Sequence, residues 1–389
     1  MSDTSAFHKE LIDWRHYLHT VPETEFDLEK TPEFVAEKLQ SLGITVHRGI
    51  GKTGLVGVLK KGSSERSIGI RADMDALDIL EANTFDYVSK TKGKMHACGH
   101  DGHTTMVLGA AKLLTESDDF DGTVYFVFQP DEEHGQGARA MIADGLFERF
   151  PMQEIYGAHN MPGMPIGKFS TRTGGIMGSE DNFIIRIKGR GGHAARPHMS
   201  RDPLVTAAQI ITALQTVVSR NMDPSESAVI SCTELHTDGV RNAIPTHVEI
   251  KGDTRSYSPA VQALLEKRMR AIVMSICEMN DSEGEFIYTH EFSPTVNWEE
   301  PKNHAVEAAL KVFGAENVDD NVTPMMVSED FGAFLEKIPG AFVFIGNGDE
   351  KDGKGYLPLH NASYDFSDDI LEQGATYFAE LVKMRLSKK

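Results

Sequence analysis

Cys98, His100 and His103 fall within one short stretch, Met95–Thr105, which reads MHACGHDGHTT. A thiolate and imidazoles are the side chains that hold zinc-like divalent ions at neutral pH. The alternative is structural, since a free cysteine often packs as a small buried residue and histidines can cap or fill. One local cluster does not close a metal site, so further ligands must come from elsewhere in the chain. Glu132 and Glu133 directly follow the apolar run 122–128 and its Gln-Pro-Asp extension. Charged side chains there are costly unless they are paired or bind a cation. Two adjacent carboxylates can point in different directions, so one can ligate an ion while its neighbour takes a proton from bound water. An ordinary acidic loop is the plainer alternative.

His159 in YGAHN sits just past an apolar strand and His360 in LPLHN lies in a loop before the last helix, and each alone reads equally as a structural or surface histidine. Cys98, His100, Glu133, His159 and His360 together suffice for two divalent ions. A closed structural zinc site uses four ligands, usually cysteine-rich, and has no spare base. The surplus here points to catalysis. Zinc, manganese, cobalt and nickel all accept such a mixed donor set. Asp73, two residues after Arg71 at a strand end, is placed either to orient a ligand or the base or simply to turn the chain. A second group comprises His193 in the glycine-rich GRGGHAARPH, Asn242 in RNAIP and Arg255 in GDTR. A guanidinium suits two-point binding of a carboxylate, although an arginine at a strand end is often just solvated.

These residues need elements to hold them. Leu11, Ile12, Trp14 and Leu18 predict a helix over 7–20 that Pro22 ends, and Thr31-Pro32-Glu33 predicts the capped start of a second. Strands are expected at 44–47, 55–59 and 67–72. A buried helix is expected over 104–114, with the histidines in the loop before it. The continuous apolar run at 122–128 suggests a strand covered on both faces. A helix at 138–144 and a strand at 154–159 complete an α/β layer pattern with reactive groups at the carboxyl ends of strands. From Asn182 the order becomes strand, helix, two strands, helix and strand, ending near Phe292, which matches a ferredoxin-like α+β domain. The chain therefore divides into a discontinuous domain, 1–178 with 293–389, and an insert at 179–292.

The chain has 389 residues and a formal net charge of −19, which argues against nucleic acid or an anionic membrane as partner. Cys98, Cys232 and Cys277 are too few and too scattered for a disulfide framework, which suggests a reducing, cytoplasmic setting. No segment has the length and apolarity of a membrane span, and the amphipathic N-terminal stretch does not read as a secretory signal.

The ordered motifs MHACGHDGH, FQPDEE, GAHN, GRGGHAARPH, RNAIP, SEDF and LPLHNASYDF span nearly the whole chain. The set resembles the M20 metallopeptidases, specifically the amidohydrolase branch with hippurate hydrolases, N-acyl-amino-acid deacylases and auxin-conjugate hydrolases. That resemblance implies a mixed-sheet, zinc-peptidase-like catalytic domain and an inserted lid that mediates homodimerisation. It implies two divalent ions on Cys98, His100, Glu133, His159 and His360, with Glu132 as general base. It also implies that His193 stabilises an oxyanion, in its own or the neighbouring subunit, and that Asn242 and Arg255 hold the substrate carboxylate. Cys98 stands where many M20 peptidases have a bridging aspartate, and Arg71 where they have a metal-binding histidine. PDEE and LHNASYDF depart slightly from the usual forms without removing a ligand or the base. The implied reaction is hydrolysis of an N-acyl amino acid by an ion-activated water. A dipeptidase or aminopeptidase of the same superfamily is the nearer alternative, and a non-catalytic metal-containing binding protein the more distant.

Overall fold

The structure, a computed structural model, describes residues 5–388, so the first four residues of the N-terminal stretch discussed above lie outside the described residues. The chain forms two compact units. The first takes Met1–Ile176, Val296–Thr323 and Asp330–Lys389, and the second takes Met177–Thr295 and Pro324–Glu329. This division runs a few residues wider than 179–292. It also adds Pro324–Glu329, a segment that no local sequence signal marks.

The first unit is built on an eight-stranded mixed sheet. Its strand order is Thr45–Ile50, Gly54–Lys61, Gly122–Gln129, Ser67–Asp73, Ile155–Pro162, Gly340–Gly348, Phe169–Ser170 and Val318–Asp319. The four strands from Gly122–Gln129 to Gly340–Gly348 run parallel. Three of these four are buried along their whole length, as helix-covered parallel strands require. Their apolar side chains, including Ile68, Ile70, Val124, Phe126, Val343 and Ile345, share one core with the helices Ala6–Thr20, His100–Glu116 and Leu371–Arg385.

The helices approach closely because small residues line their contacts. A Cβ at Gly109 would stand 2.8 Å from the Ala375 Cβ and 3.0 Å from Leu11. Two local expectations shift. The second helix begins at Lys30, and the Glu23 carboxylate, not Thr31, accepts the Lys30 and Thr31 N–H groups, both at 2.9 Å. The third begins at His100, so His100 and His103 sit in its first turn rather than in the preceding loop.

The second unit has an antiparallel sheet in the order Ala228–Thr237, His247–Ser256, Glu180–Lys188, Glu283–Phe292. With the helices Pro203–Asn221 and Pro259–Met279 this is a ferredoxin-like domain. Alternate residues Phe183, Ile185 and Ile187, with Val248 and Ile250, meet Ile210, Leu214, Leu265 and Met269 in a separate core. Asp202 caps the first of these helices through the Leu204 N–H at 3.0 Å. A small ribbon, Gly192–His193 against Ala243–Ile244, was not expected. Among the described residues no helix is long and apolar enough to cross a membrane.

Replacing Gly109 by Val forces a Cβ and two methyl groups into the contact with Leu11 and Ala375. We expect a loss of about 1–3 kcal/mol in urea unfolding.

Candidate metal centre

Parallel strands end on one edge of the sheet, where the chain leaves the ladder and polar side chains gather. Asp73 is the last residue of its strand, and Glu132 and Glu133 follow closely on Gly122–Gln129. His159 is inside Ile155–Pro162 rather than just past it. Cys98 and His100 flank Gly99, whose φ of 95° lies in the left-handed region. A Cβ at Gly99 would also stand 2.4 Å from Asn160 Oδ1 and 2.8 Å from the Tyr364 hydroxyl, so only glycine fits there. His360 enters from a turn with its own φ at 64°, pinned by its N–H to the Ala97 carbonyl at 2.8 Å.

The donor atoms converge. Cys98 Sγ is 3.4 Å from His159 Nε2, and His360 Nε2 is 3.4 Å from Glu133 Oε2. His100 Nε2 lies 3.6 Å from Asp73 Oδ2, 3.8 Å from Glu133 Oε1 and 3.9 Å from Glu132 Oε2. Cys98, His100 and His159 form one group with ligand atoms within 4.8 Å, and Cys98, Glu133 and His360 form another.

Two of the three candidate ligand imidazoles have their other nitrogen fixed. His100 Nδ1 donates to the Asp75 carbonyl at 2.9 Å and His159 Nδ1 to the Asn160 carbonyl at 2.7 Å, the arrangement that frees Nε2 lone pairs for a metal. His100 Nε2 and Glu133 Oε1 are buried and have no hydrogen-bond partner. Buried polar atoms without partners are costly, and a cation bonded to both at about 2.0–2.2 Å would satisfy them. The donor set therefore fits divalent ions.

Electrostatics agree with that fit. Burial opposes charge on His100, yet the Asp73 and Asp75 carboxylates outweigh it and hold the ring up at about 10. Burial, then Glu133 and Glu132, pushes the Cys98 thiol up. Burial and the neighbouring His103 hold His159 well below the usual histidine range. Excess acceptors of this kind are what a cation neutralises.

His103, though part of the opening cluster, is already engaged. Its Nδ1 donates to Asp73 Oδ1 and its Nε2 faces Asn160 Oδ1, both at 2.7 Å. Asn160 in turn donates to the Tyr364 hydroxyl at 2.6 Å. Arg71 bonds Gln129 at 2.8 Å, Asp73 at 2.9 Å and Asp330 at 3.1 Å, so a fixed positive charge stands behind Asp73. Burial favours a neutral Asp73, but Arg71, His100 and His103 keep its carboxyl well below the ordinary range. Asp75, two residues beyond the strand that ends at Asp73, joins the site from both ends: its carbonyl holds His100, and its Oδ2 accepts the Glu133 N–H at 3.1 Å.

His193, Asn242 and Arg255 belong to the second unit. His193 pairs with Ala243 in the ribbon, and the Ala194 N–H bonds the Asn242 carbonyl at 3.1 Å. Arg255 meets Glu180 at 2.8 Å, Asp253 at 3.0 Å and the Ser328 hydroxyl at 3.1 Å. Its charge is thus already met by two carboxylates.

An α/β unit with a buried thiol, imidazole and carboxylate cluster at its strand ends defines the chain as a metal-dependent hydrolase. Residues 69–384 match the model of peptidase family M20/M25/M40. The chain is 43% identical over 367 residues to the hippurate hydrolase of Campylobacter jejuni, covering 94% of each. It is 36% identical to the N-acetylcysteine deacetylase of Bacillus subtilis, covering 97% of each. The crystal structure of the Bacillus subtilis YXEP protein, a dinuclear metal binding peptidase, superposes with a TM-score of 0.85 at 32% identity, over 98% of this chain and 99% of that one. The protein belongs to the M20 family, in its amidohydrolase branch.

Zinc added to metal-stripped protein at a hundred times its Kd should raise the unfolding free energy by about 2.7 kcal/mol. Glu133→Ala and His100→Ala should each lose most of that gain in paired denaturant titrations with and without zinc.

Proposed function

We propose that the protein hydrolyses the amide bond of N-acyl amino acids, such as N-acetyl or N-benzoyl conjugates, to a carboxylic acid and a free amino acid. The observation that carries this reading is the pair of unpartnered, buried ligand atoms on His100 and Glu133 beside a further carboxylate, Glu132, that the ligand set does not need. The named activities of the hippurate hydrolase and the deacetylase support the acyl amino acid as substrate class.

In this proposal Cys98, His100, Glu133, His159 and His360 hold two divalent ions, a number that the dinuclear YXEP protein supports. Bound ions supply Lewis-acid polarisation of the amide carbonyl and bring the pKa of a water to about 7. Glu132, 5% exposed, accepts the proton of the attacking water and returns it to the leaving nitrogen. Asp73 holds His100 and His103 in orientation. His193 donates to the developing oxyanion, while Asn242 and Arg255 take the substrate carboxylate, which would compete with Glu180 and Asp253 for Arg255. The first unit is then the catalytic domain and the second a lid.

The open edge strand Ala228–Thr237, with Val229 39% and Leu235 44% exposed, supports a homodimer through the second unit. Three free thiols support a cytoplasmic setting.

The deciding experiment measures amino-acid release from N-acetyl, N-benzoyl, N-indoleacetyl and dipeptide substrates by metal-stripped protein, before and after zinc, manganese, cobalt or nickel. Restored cleavage of acyl conjugates is expected, whereas turnover of dipeptides alone would make the protein a peptidase. Glu132→Gln should cut kcat by about a hundred to ten-thousandfold with metal content unchanged. His193→Ala should slow turnover roughly a hundred to a thousandfold. Light scattering should return twice the chain mass, and a charged substitution at Leu235 should halve it.

A further inference from the structure

We propose that Arg15 and His19, both on the Ala6–Thr20 helix, are positioning residues that hold the Cys98–His100 turn and the His360 turn of the metal centre in fixed relation. Both side chains are fully buried, and neither has a place in the chemistry described above. Arg15 Nη1 lies 2.9 Å from Asp365 Oδ1 and 3.6 Å from Asp101 Oδ2, and its Nε lies 2.7 Å from Asp368 Oδ1. The guanidinium also covers the Tyr87 ring at 4.6 Å, and the Tyr87 hydroxyl donates to the other Asp365 oxygen at 2.8 Å. His19 Nδ1 meets Asp101 at 2.8 Å and its Nε2 meets Glu81 at 3.1 Å.

The acidic partners are what make this cluster more than ballast. Asp101 directly follows the ligand His100, and its Oδ1 accepts the Gly102 N–H at 3.0 Å, inside the helical turn that aims His100. Asp365 belongs to the LHNASYDF segment that carries His360, as does Tyr364, which bonds Asn160 beside the ligand His159. One arginine therefore ties carboxylates from the two chain segments that supply Cys98 and His100 on one side and His360 on the other. A planar guanidinium with five donors can serve both at once, which an ammonium cannot do in the same geometry.

Buried ion networks add little net stability compared with well-packed apolar residues. What this one supplies is direction, at both ends of a ligand set that tolerates errors of only about half an ångström. The inference rests on the proposed ligand assignment.

The test compares metal-stripped wild-type protein with Arg15→Met, Arg15→Lys, His19→Gln and Arg385→Met. The last removes an ion pair with Glu154 elsewhere in the first unit and serves as the stability control. Zinc affinity is read by competition with a chelator, and ligand geometry by the visible absorption of the cobalt-loaded protein. Arg15→Met and His19→Gln should weaken zinc about 10–100-fold and change the cobalt spectrum. Arg15→Lys should recover part of the loss, and Arg385→Met should leave both readouts within about twofold of wild type. Affinities and spectra unchanged in folded Arg15→Met and His19→Gln, or an equal loss in Arg385→Met, would overturn the inference. If Arg15→Met does not fold, His19→Gln and Arg15→Lys decide by the same criterion. Failure of the wild type itself to bind zinc would instead refute the ligand assignment.

Discussion

Several ionisable groups of opposite tendency are packed into a space largely closed to water, and the first unit is organised around making that tolerable. Cys98, His100, His103, His159, Asp73, Asp75 and Glu132 are all buried. In a low-dielectric interior each would be expensive alone, so every ring is committed through at least one nitrogen to a carbonyl or carboxylate. The few atoms left over face one another. The parallel strands make this possible by ending together, and Gly99 makes it possible by giving the chain a reversal that no other residue could take without striking Asn160 and Tyr364.

Around this cluster the polar scaffold has two anchors of different kinds. On the sheet side, Arg71 joins Asp73, Gln129 and Asp330, and Asp330 also accepts the Ala138 N–H at 2.9 Å, so the loop bearing Glu132 and Glu133 is held at both ends. On the helix side, His19 is kept at about 9, where burial alone would lower it, by Asp101 and Glu81. The second unit has a smaller arrangement of this kind, in which the buried Asp181 carboxylate meets Gln262 and His290 at 2.7 Å and the Tyr288 hydroxyl at 3.1 Å, beside an otherwise apolar core.

Residue type and periodicity were enough to expose the layer pattern, the ferredoxin-like order and the set of candidate ligands, because these depend on local spacing and on which groups bind cations. The sorting of those groups was not legible. His103 looks like a ligand in the one-dimensional cluster. It is withdrawn by Asp73 and Asn160, which are 30 and 57 residues away in sequence. Arg15 and His19 read as the polar side of an amphipathic helix, since nothing local indicates carboxylates such as Asp365, which Arg15 meets across 350 residues. The helix start at His100 was missed for a related reason. Glycine at its N-cap contributes no side-chain acceptor, so the usual capping signal is absent.

The first unit is interrupted in sequence by the second, and this orders events during synthesis. The body of the second unit, Met177–Thr295, is continuous and can complete its sheet while the ribosome is still translating. The Asp330–Lys389 segment brings His360, the central strand Gly340–Gly348 and the helix against which His100–Glu116 packs, and all of these follow the insert in sequence. Long-range pairing of this kind is slow to form. Until that segment packs, Cys98 and His100 lack the wall that buries them. The candidate metal centre is therefore the part of the first unit that depends most on contacts between chain segments separated by the insert.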